Sequence, residues 1–450
     1  MTFDELTVAD LQRAYRTGDR RPVDVVEATL DAIEHSDTNA WIATRDRPAL
    51  REDAAALDAA DPAEYPLYGV PFAVKDNIDY AGLPTTAGCP SYASDPEESA
   101  HVVDRLVDAG ALLVGKTNMD QFATGLVGTR SPYGACRNPF DEASIAGGSS
   151  AGSAVAVARG QVAFALGTDT AGSGRVPAAF NRLVGLKPTR GAVSTRGVVP
   201  ACRTLDCVSV FANTVEDARA VGEVAVGYDA ADPYSRPAAD DLDLSPPERP
   251  TVTVGVPDEG NLAFFGDDEA AGLFEAFRED LADGPWTVET VDFAPFVETA
   301  ALLYGGPWVA ERYAAVGEFL ATDPDDADPV VERIIEGGAD YSAVDTFEAM
   351  YELQARKREV AAVFDGVDVL VTPTTGTIYT VDEVQSEPVE LNSNLGYYTN
   401  FANLLDLSAV AVPVDTFEAG PGFGVTVFGE AFEDGLVAAV AERLVGGERA

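Results

Sequence analysis

Residues Ala146–Phe180 read AGGSSAGSAVAVARGQVAFALGTDTAGSGRVPAAF. A glycine-rich turn runs into SSAGSAVAVARG, which reads as a helix of small residues. VAFALGTDT follows as a short, continuous apolar run of the kind that forms a strand buried on both faces. The same helix-then-strand order occurs upstream. HVVDRLVDAG (His101–Gly110) reads as an amphipathic helix closed by Gly110, and ALLVGKTN (Ala111–Asn118) as an apolar strand. Before both, PLYGVPFAVKDNI (Pro66–Ile78) reads as a buried strand leading into a loop. Strands alternating with helices predict an α/β fold with a mixed, mostly parallel central sheet covered by helices on both faces.

Working outward, residues 1–65 read as helical. Thr7 can cap VADLQRAYRTG, and VVEATLDAIEHS has apolar positions at helical spacing. Residues 66–220 form the core of the pattern. Residues 228–250, acidic and proline-rich, read as an exposed connection rather than a domain boundary. In residues 251–450 strands are expected at Thr251–Pro257, Val367–Thr375, Leu407–Val414 and Phe423–Glu430, with helices over Asp267–Asp283 and Leu436–Leu444. No internal repeat or low-complexity tract interrupts the 450 residues, so one domain with helical insertions is expected.

The charge balance is lopsided: 75 acidic residues face 30 basic ones, for a formal net charge of −45. Such a surface repels nucleic acid and anionic membranes. The acid is spread along the chain, so it is not an acidic tail. Lysine is nearly absent, confined to Lys75, Lys116, Lys187 and Lys357. This reads as adaptation to a high-salt cytoplasm, where screening relieves self-repulsion; a plainly acidic mesophile is the alternative. The cysteines, Cys89, Cys136, Cys202 and Cys207, form no CxxC pair and no disulfide framework. Cys202 and Cys207 lack a nearby histidine, so no metal site is expected. The N-terminus has no apolar signal core. The longest apolar stretch, Ser153–Gly167, is broken by Arg159 and Gln161, so no membrane span is expected. A cytoplasmic protein follows.

Two motifs mislead. GALLVGKT (Gly110–Thr117) matches the P-loop pattern letter for letter. A P-loop needs a strand before its first glycine and a helix after its lysine, and here that order is inverted. GSSAG (Gly148–Gly152) matches the nucleophile elbow, which requires a histidine downstream. The two histidines, His35 and His101, both precede it. Whatever activates a serine in this chain is not imidazole.

Three segments carry the chemistry: GVPFAVKDNI with Lys75, AGGSSAGSAVAVARG with Ser149 and Ser150, and GTDTAGSGRVPAAF with Ser173. A lysine amine is a base only when neutral, and burial lowers its pKa toward that state. A serine hydroxyl needs such a base within hydrogen-bond reach. Glycines around Ser173 let successive N–H groups turn toward one point, an oxyanion hole in which each donor contributes roughly 3–4 kcal/mol.

Together these segments resemble the amidase signature family, with Ser149 and Ser173 24 residues apart. The resemblance implies a Ser–Ser–Lys relay: Ser173 as nucleophile, Ser149 as bridging serine on a cis peptide, and Lys75 as base and later acid. Thr170, Ala171, Gly172 and Ser173 would offer the oxyanion N–H groups. Ala171 departs from the glycine of many members, a change that a backbone donor tolerates. Asp169 and Arg175 are expected to pair and hold the loop. No metal or organic cofactor is implied.

Thr117–Pro139, Leu205–Ala212 and LLYGGPWVAERYAAV (Leu302–Val316) resemble the allophanate hydrolase branch of that family. The resemblance implies that Tyr304 and Arg312 hold the substrate carboxylate, with Gly125 also at the substrate. Tyr304 is expected just before a helix begun by Pro307, and Arg312 about a turn and a half into it. The competing reading pairs Arg312 with Glu311 or another surface acid. The implied reaction turns allophanate and water into ammonia and N-carboxycarbamate, which loses carbon dioxide. A urea carboxylase would be the functional partner, and a homodimer is a family-level expectation. Three alternatives stand beside it. One is a general short-chain amidase, and another is the glutaminase (A) subunit of glutamyl-tRNA amidotransferase, which works with a B subunit. The third is a degenerate scaffold, against which the intact Lys75, Ser149 and Ser173 argue.

Overall fold

The computed structural model describes residues 6–249 and 251–446; residues 1–5, Pro250 and residues 447–450 lie outside the described residues. One 11-stranded sheet organises the chain. In chain order its strands are β1 (Trp41–Thr44), β2 (Pro71–Lys75), β3 (Leu112–Thr117), β4 (Phe164–Asp169), β5 (Val184–Lys187), β6 (Cys207–Ala212), β7 (Thr253–Pro257), β8 (Thr287–Val291), β9 (Val369–Pro373), β10 (Ser408–Thr416) and β11 (Gly422–Gly429). Across the sheet they lie in the order β1-β3-β2-β4-β6-β5-β10-β11-β9-β7-β8.

The α/β fold with a mixed sheet is as expected, but parallel pairing does not dominate. Only β2·β3, β2·β4, β7·β8 and β7·β9 are parallel. The centre, from β4 through β6, β5, β10 and β11 to β9, is antiparallel throughout. A strand buried on both faces is a continuous apolar run whichever way its neighbours point, so its composition does not encode direction.

Alternate residues on each strand enter opposite layers. Phe72 and Val74 of β2 and Phe164 and Leu166 of β4 join the largest core, where Phe72 and Phe164 stack at 5.0 Å. Ala73, Val114 and Ala165 join the core of the other face. Helices α1 (Val8–Thr17), α2 (Pro22–Glu34), α3 (Arg47–Leu57), α4 (His101–Asp108), α5 (Ala151–Ala158), α6 (Arg175–Phe180), α7 (Val215–Ala225) and α8 (Asp268–Asp283) flank these strands. Thr7 caps α1 and Asp267 caps α8 through their side chains, each accepting an N–H from the first turn. Among the described residues no helix is long and apolar enough to cross a membrane.

Two expectations change. The N-terminal 65 residues are not all helical: β1 pairs antiparallel with β3 at the sheet edge. Four residues are too few for periodicity to separate strand from helix. The segment 228–250 is not exposed throughout. Asp229 and Asp232 accept from Ser194, and Leu244 is buried in the main core.

Candidate active site

Lys75 ends β2 and has the parity of Ala73, so it points toward the layer that holds α5. That layer also carries the GGSS turn. Ser150 stitches the turn to the end of β4: its Oγ donates to the Thr168 carbonyl at 3.1 Å and accepts the Thr168 N–H at 3.3 Å. The peptide Gly148–Ser149 is cis, as the resemblance implied. The turn must be glycine at 148, because a Cβ there would sit 2.0 Å from Asp120 Oδ2. Asp120 is buried under the turn and accepts the N–H groups of Val127, Gly128 and Arg130.

Lys75, fully buried, reaches Ser149 Oγ and Thr168 Oγ1, both at 2.7 Å. Burial lowers its pKa to about 7, against the partial opposition of Asp120, Asp206 and Asp169; the Arg312 charge lowers it further. Its direct partners are hydroxyls, which solvate a neutral amine as well as a charged one. Lys116 on the adjacent strand differs: its Nζ donates to the Ile78 carbonyl and Thr85 Oγ1 and lies 3.7 Å from Asp76.

Ser173 follows Thr168 by five residues, on the loop between β4 and α6, and is 3% exposed. Asp169 shapes that loop. Arg175 grips it in a fork, Nε to Oδ2 at 2.9 Å and Nη2 to Oδ1 at 3.0 Å, the pairing expected from the sequence. Burial would raise the Asp169 pKa, but the charge and hydrogen bonds of Arg175 outweigh it and hold the carboxylate below its ordinary range. The same carboxylate takes the N–H groups of Gly172 and Gly174. Gly172 therefore leaves the oxyanion set: its N–H is already committed at 2.9 Å. The N–H groups of Ala171 and Ser173 have no acceptor among the described residues. Thr170 is tied through its hydroxyl to Asp206, whose pKa burial pushes up to about 6. Thr168 and Asp206 are the site residues that sequence reasoning misses. Thr168 sits inside the quoted GTDT run and Asp206 beside Cys207, but neither position carries a sign of its contact.

Helices α9 (Ala294–Gly305) and α10 (Val309–Leu320) supply the other wall. Tyr304 lies in the last turn of α9 rather than before a helix, and Arg312 in the first turn of α10. Gly306 breaks the first helix, and the turn at Pro307 and Trp308 starts the second. The break folds the two residues together: Arg312 Nη2 donates to the Tyr304 hydroxyl at 3.1 Å. Nη1 reaches the Ala123 carbonyl and Thr124 Oγ1 at 3.1 and 2.9 Å. Arg312 is 2% exposed and has no carboxylate within ion-pair distance among the described residues. Glu311 is not its partner, being bound to the N–H and hydroxyl of Thr204. Gly125 adjoins Thr124 at φ +156°, and a Cβ there would meet Asp120 Oδ2 at 2.7 Å. Its identity is fixed by Asp120.

The model of the family described as Amidase matches residues 24–438. Urea amidolyase of Saccharomyces cerevisiae is 47% identical over 427 residues, which is 93% of this chain but 23% of that protein. The chain thus spans about a quarter of the length of such relatives. The glutaminase (A) subunit of glutamyl-tRNA(Gln) amidotransferase from Halobacterium salinarum is 36% identical over 415 residues, 84% of this chain and 96% of that one. A solved structure of Kluyveromyces lactis allophanate hydrolase matches with a TM-score of 0.91 at 43% identity, over 97% of this chain and 72% of that one.

Proposed function

Within the amidase family, to which this chain belongs, we propose that it is an allophanate hydrolase acting through Ser173, Ser149 and Lys75. The observation that carries this reading is Arg312, a buried guanidinium with no carboxylate partner among the described residues and the Tyr304 hydroxyl at 3.1 Å. A buried charge left unpaired is costly, and the planar guanidinium fork matches a carboxylate. Allophanate supplies that carboxylate at the end opposite its amide. With the carboxylate on Arg312 and Tyr304, the carbamoyl group is left for Ser173.

Ser173 Oγ attacks the carbamoyl carbon as its proton passes through Ser149 to neutral Lys75. Ala171 and Ser173 N–H groups receive the developing oxyanion. Lys75 returns the proton through Ser149, the C–N bond breaks, and ammonia leaves. Water then attacks the acyl-Ser173 ester by the same relay, freeing N-carboxycarbamate and restoring the serine. The product loses carbon dioxide. Because allophanate is carboxylated urea, a urea carboxylase is the functional partner this reading calls for.

The glutaminase component of the amidotransferase is the second reading, favoured by the 96% of that protein's length that the alignment covers. Ammonia release from allophanate, glutamine and a short aliphatic amide, assayed side by side at high salt with Ser173→Ala as control, separates them. Turnover of allophanate alone is expected. Turnover of glutamine instead moves the chain to the second reading.

A further inference from the structure

A cavity of about 340 Å³ shares a wall with the catalytic loop: Asp206, which accepts from Thr170, also lines it. Three arginines, Arg190, Arg203 and Arg236, surround this space in a chain of net charge −45. Its two carboxylates are committed. Asp406 takes Arg236 at 2.9 and 3.1 Å and lies 3.5 Å from Arg190. Asp206 takes the Thr170 hydroxyl and the N–H groups of Ala201 and Cys202. Arg203 is exposed and has neither a hydrogen-bond nor an ion-pair partner among the described residues. Lys357 stands beside the cavity, half-buried; burial, then the charges of Arg190 and Arg236, lower its pKa. Tyr234, exposed, adds an aromatic wall.

We propose that this cavity binds a small organic oxyanion, its charged end on Arg203 and Lys357 and its flat apolar body on Tyr234, and that occupancy reaches the catalytic loop through Asp206. A volume of this size suits a ligand larger than a bare ion. An uncommitted guanidinium is a fork for a phosphate or carboxylate. Elsewhere the acidic surface repels anions, so a local excess of cations selects the position at which one settles.

The test is calorimetric titration of the full chain, at constant ionic strength, with inorganic phosphate and with phenyl phosphate. Both are expected to saturate, with phenyl phosphate about tenfold tighter. Arg203→Ala should weaken both about tenfold, Lys357→Gln should weaken both less, and Tyr234→Ala should remove only the advantage of the phenyl ring. Binding should survive Arg312→Ala, which separates this cavity from the active site. Saturating phenyl phosphate should change kcat on whichever amide the protein turns over, and Arg203→Ala should abolish that response while leaving basal turnover unchanged. Absence of saturation, or loss of binding in Arg312→Ala but not in Arg203→Ala, overturns the site. Binding with an unaltered kcat overturns the link through Asp206.

Discussion

The end of β2 and the first turn of α10 each bury a cation against the same chamber, and the two cations fare differently. Lys75 is surrounded by hydroxyls and its pKa falls to about 7. Arg312 is buried to the same degree, donates to a carbonyl and two hydroxyls, and keeps its charge. Desolvation acts on both, but an ammonium can shed its proton within the physiological range and a guanidinium cannot. In the proposed reaction one region thereby serves as a base and the other as a receptor for anions. Each also tunes the other, since the Arg312 charge is among the causes that lower the Lys75 pKa.

That division can be broken one element at a time. Ser173→Ala, and separately Lys75→Met, should each lower turnover by about four orders of magnitude or more, measured as ammonia release with the melting temperature checked alongside. Arg312→Met should lower kcat/KM on allophanate by about 10²- to 10³-fold, the loss typical of truncating a buried charge pair. A neutral short amide should lose less than about tenfold; equal losses on both would mean that Arg312 serves only to hold α9 and α10 together. The pH profile sharpens the comparison further. Below its pKa Lys75 is protonated and cannot accept the Ser149 proton, so kcat/KM should drop about tenfold per unit below pH about 7 and level off above it. Arg312→Met removes a charge that lowers this pKa, so on the neutral amide the midpoint should move to higher pH. A midpoint unchanged in that variant would uncouple the two regions. Tyr304→Phe, which deletes one hydroxyl beside an intact guanidinium, should raise KM for allophanate only a few-fold.

Much of the site is legible in the sequence because its parts are local. GVPFAVK encodes a buried strand that ends in lysine, and the structure buries Lys75 completely. The Asp169–Arg175 pair is legible because six residues span one tight loop. What is not legible depends on long-range packing. Asp206 closes on Thr170 from 36 residues away, and Thr204, not Arg312, takes Glu311 across 107 residues. Gly172 has the position of an oxyanion donor, but spacing alone does not show that the Asp169 carboxylate turns back onto its N–H. In the sequence Gly306 lies on the approach to a single helix, yet it is the joint that brings Tyr304 onto Arg312.

Local patterning is enough to specify an α/β chain without a usable histidine, with a lysine and two serines placed where small residues and glycines leave room for them. These are properties of periodicity and backbone freedom, which neighbouring residues decide. The direction of the central strands, the hydroxyl surroundings of Lys75 and the isolation of Arg312 from every described carboxylate arise only in the folded chain. A pKa and an unpaired charge are properties of an environment, and that environment is assembled from residues far apart in the chain.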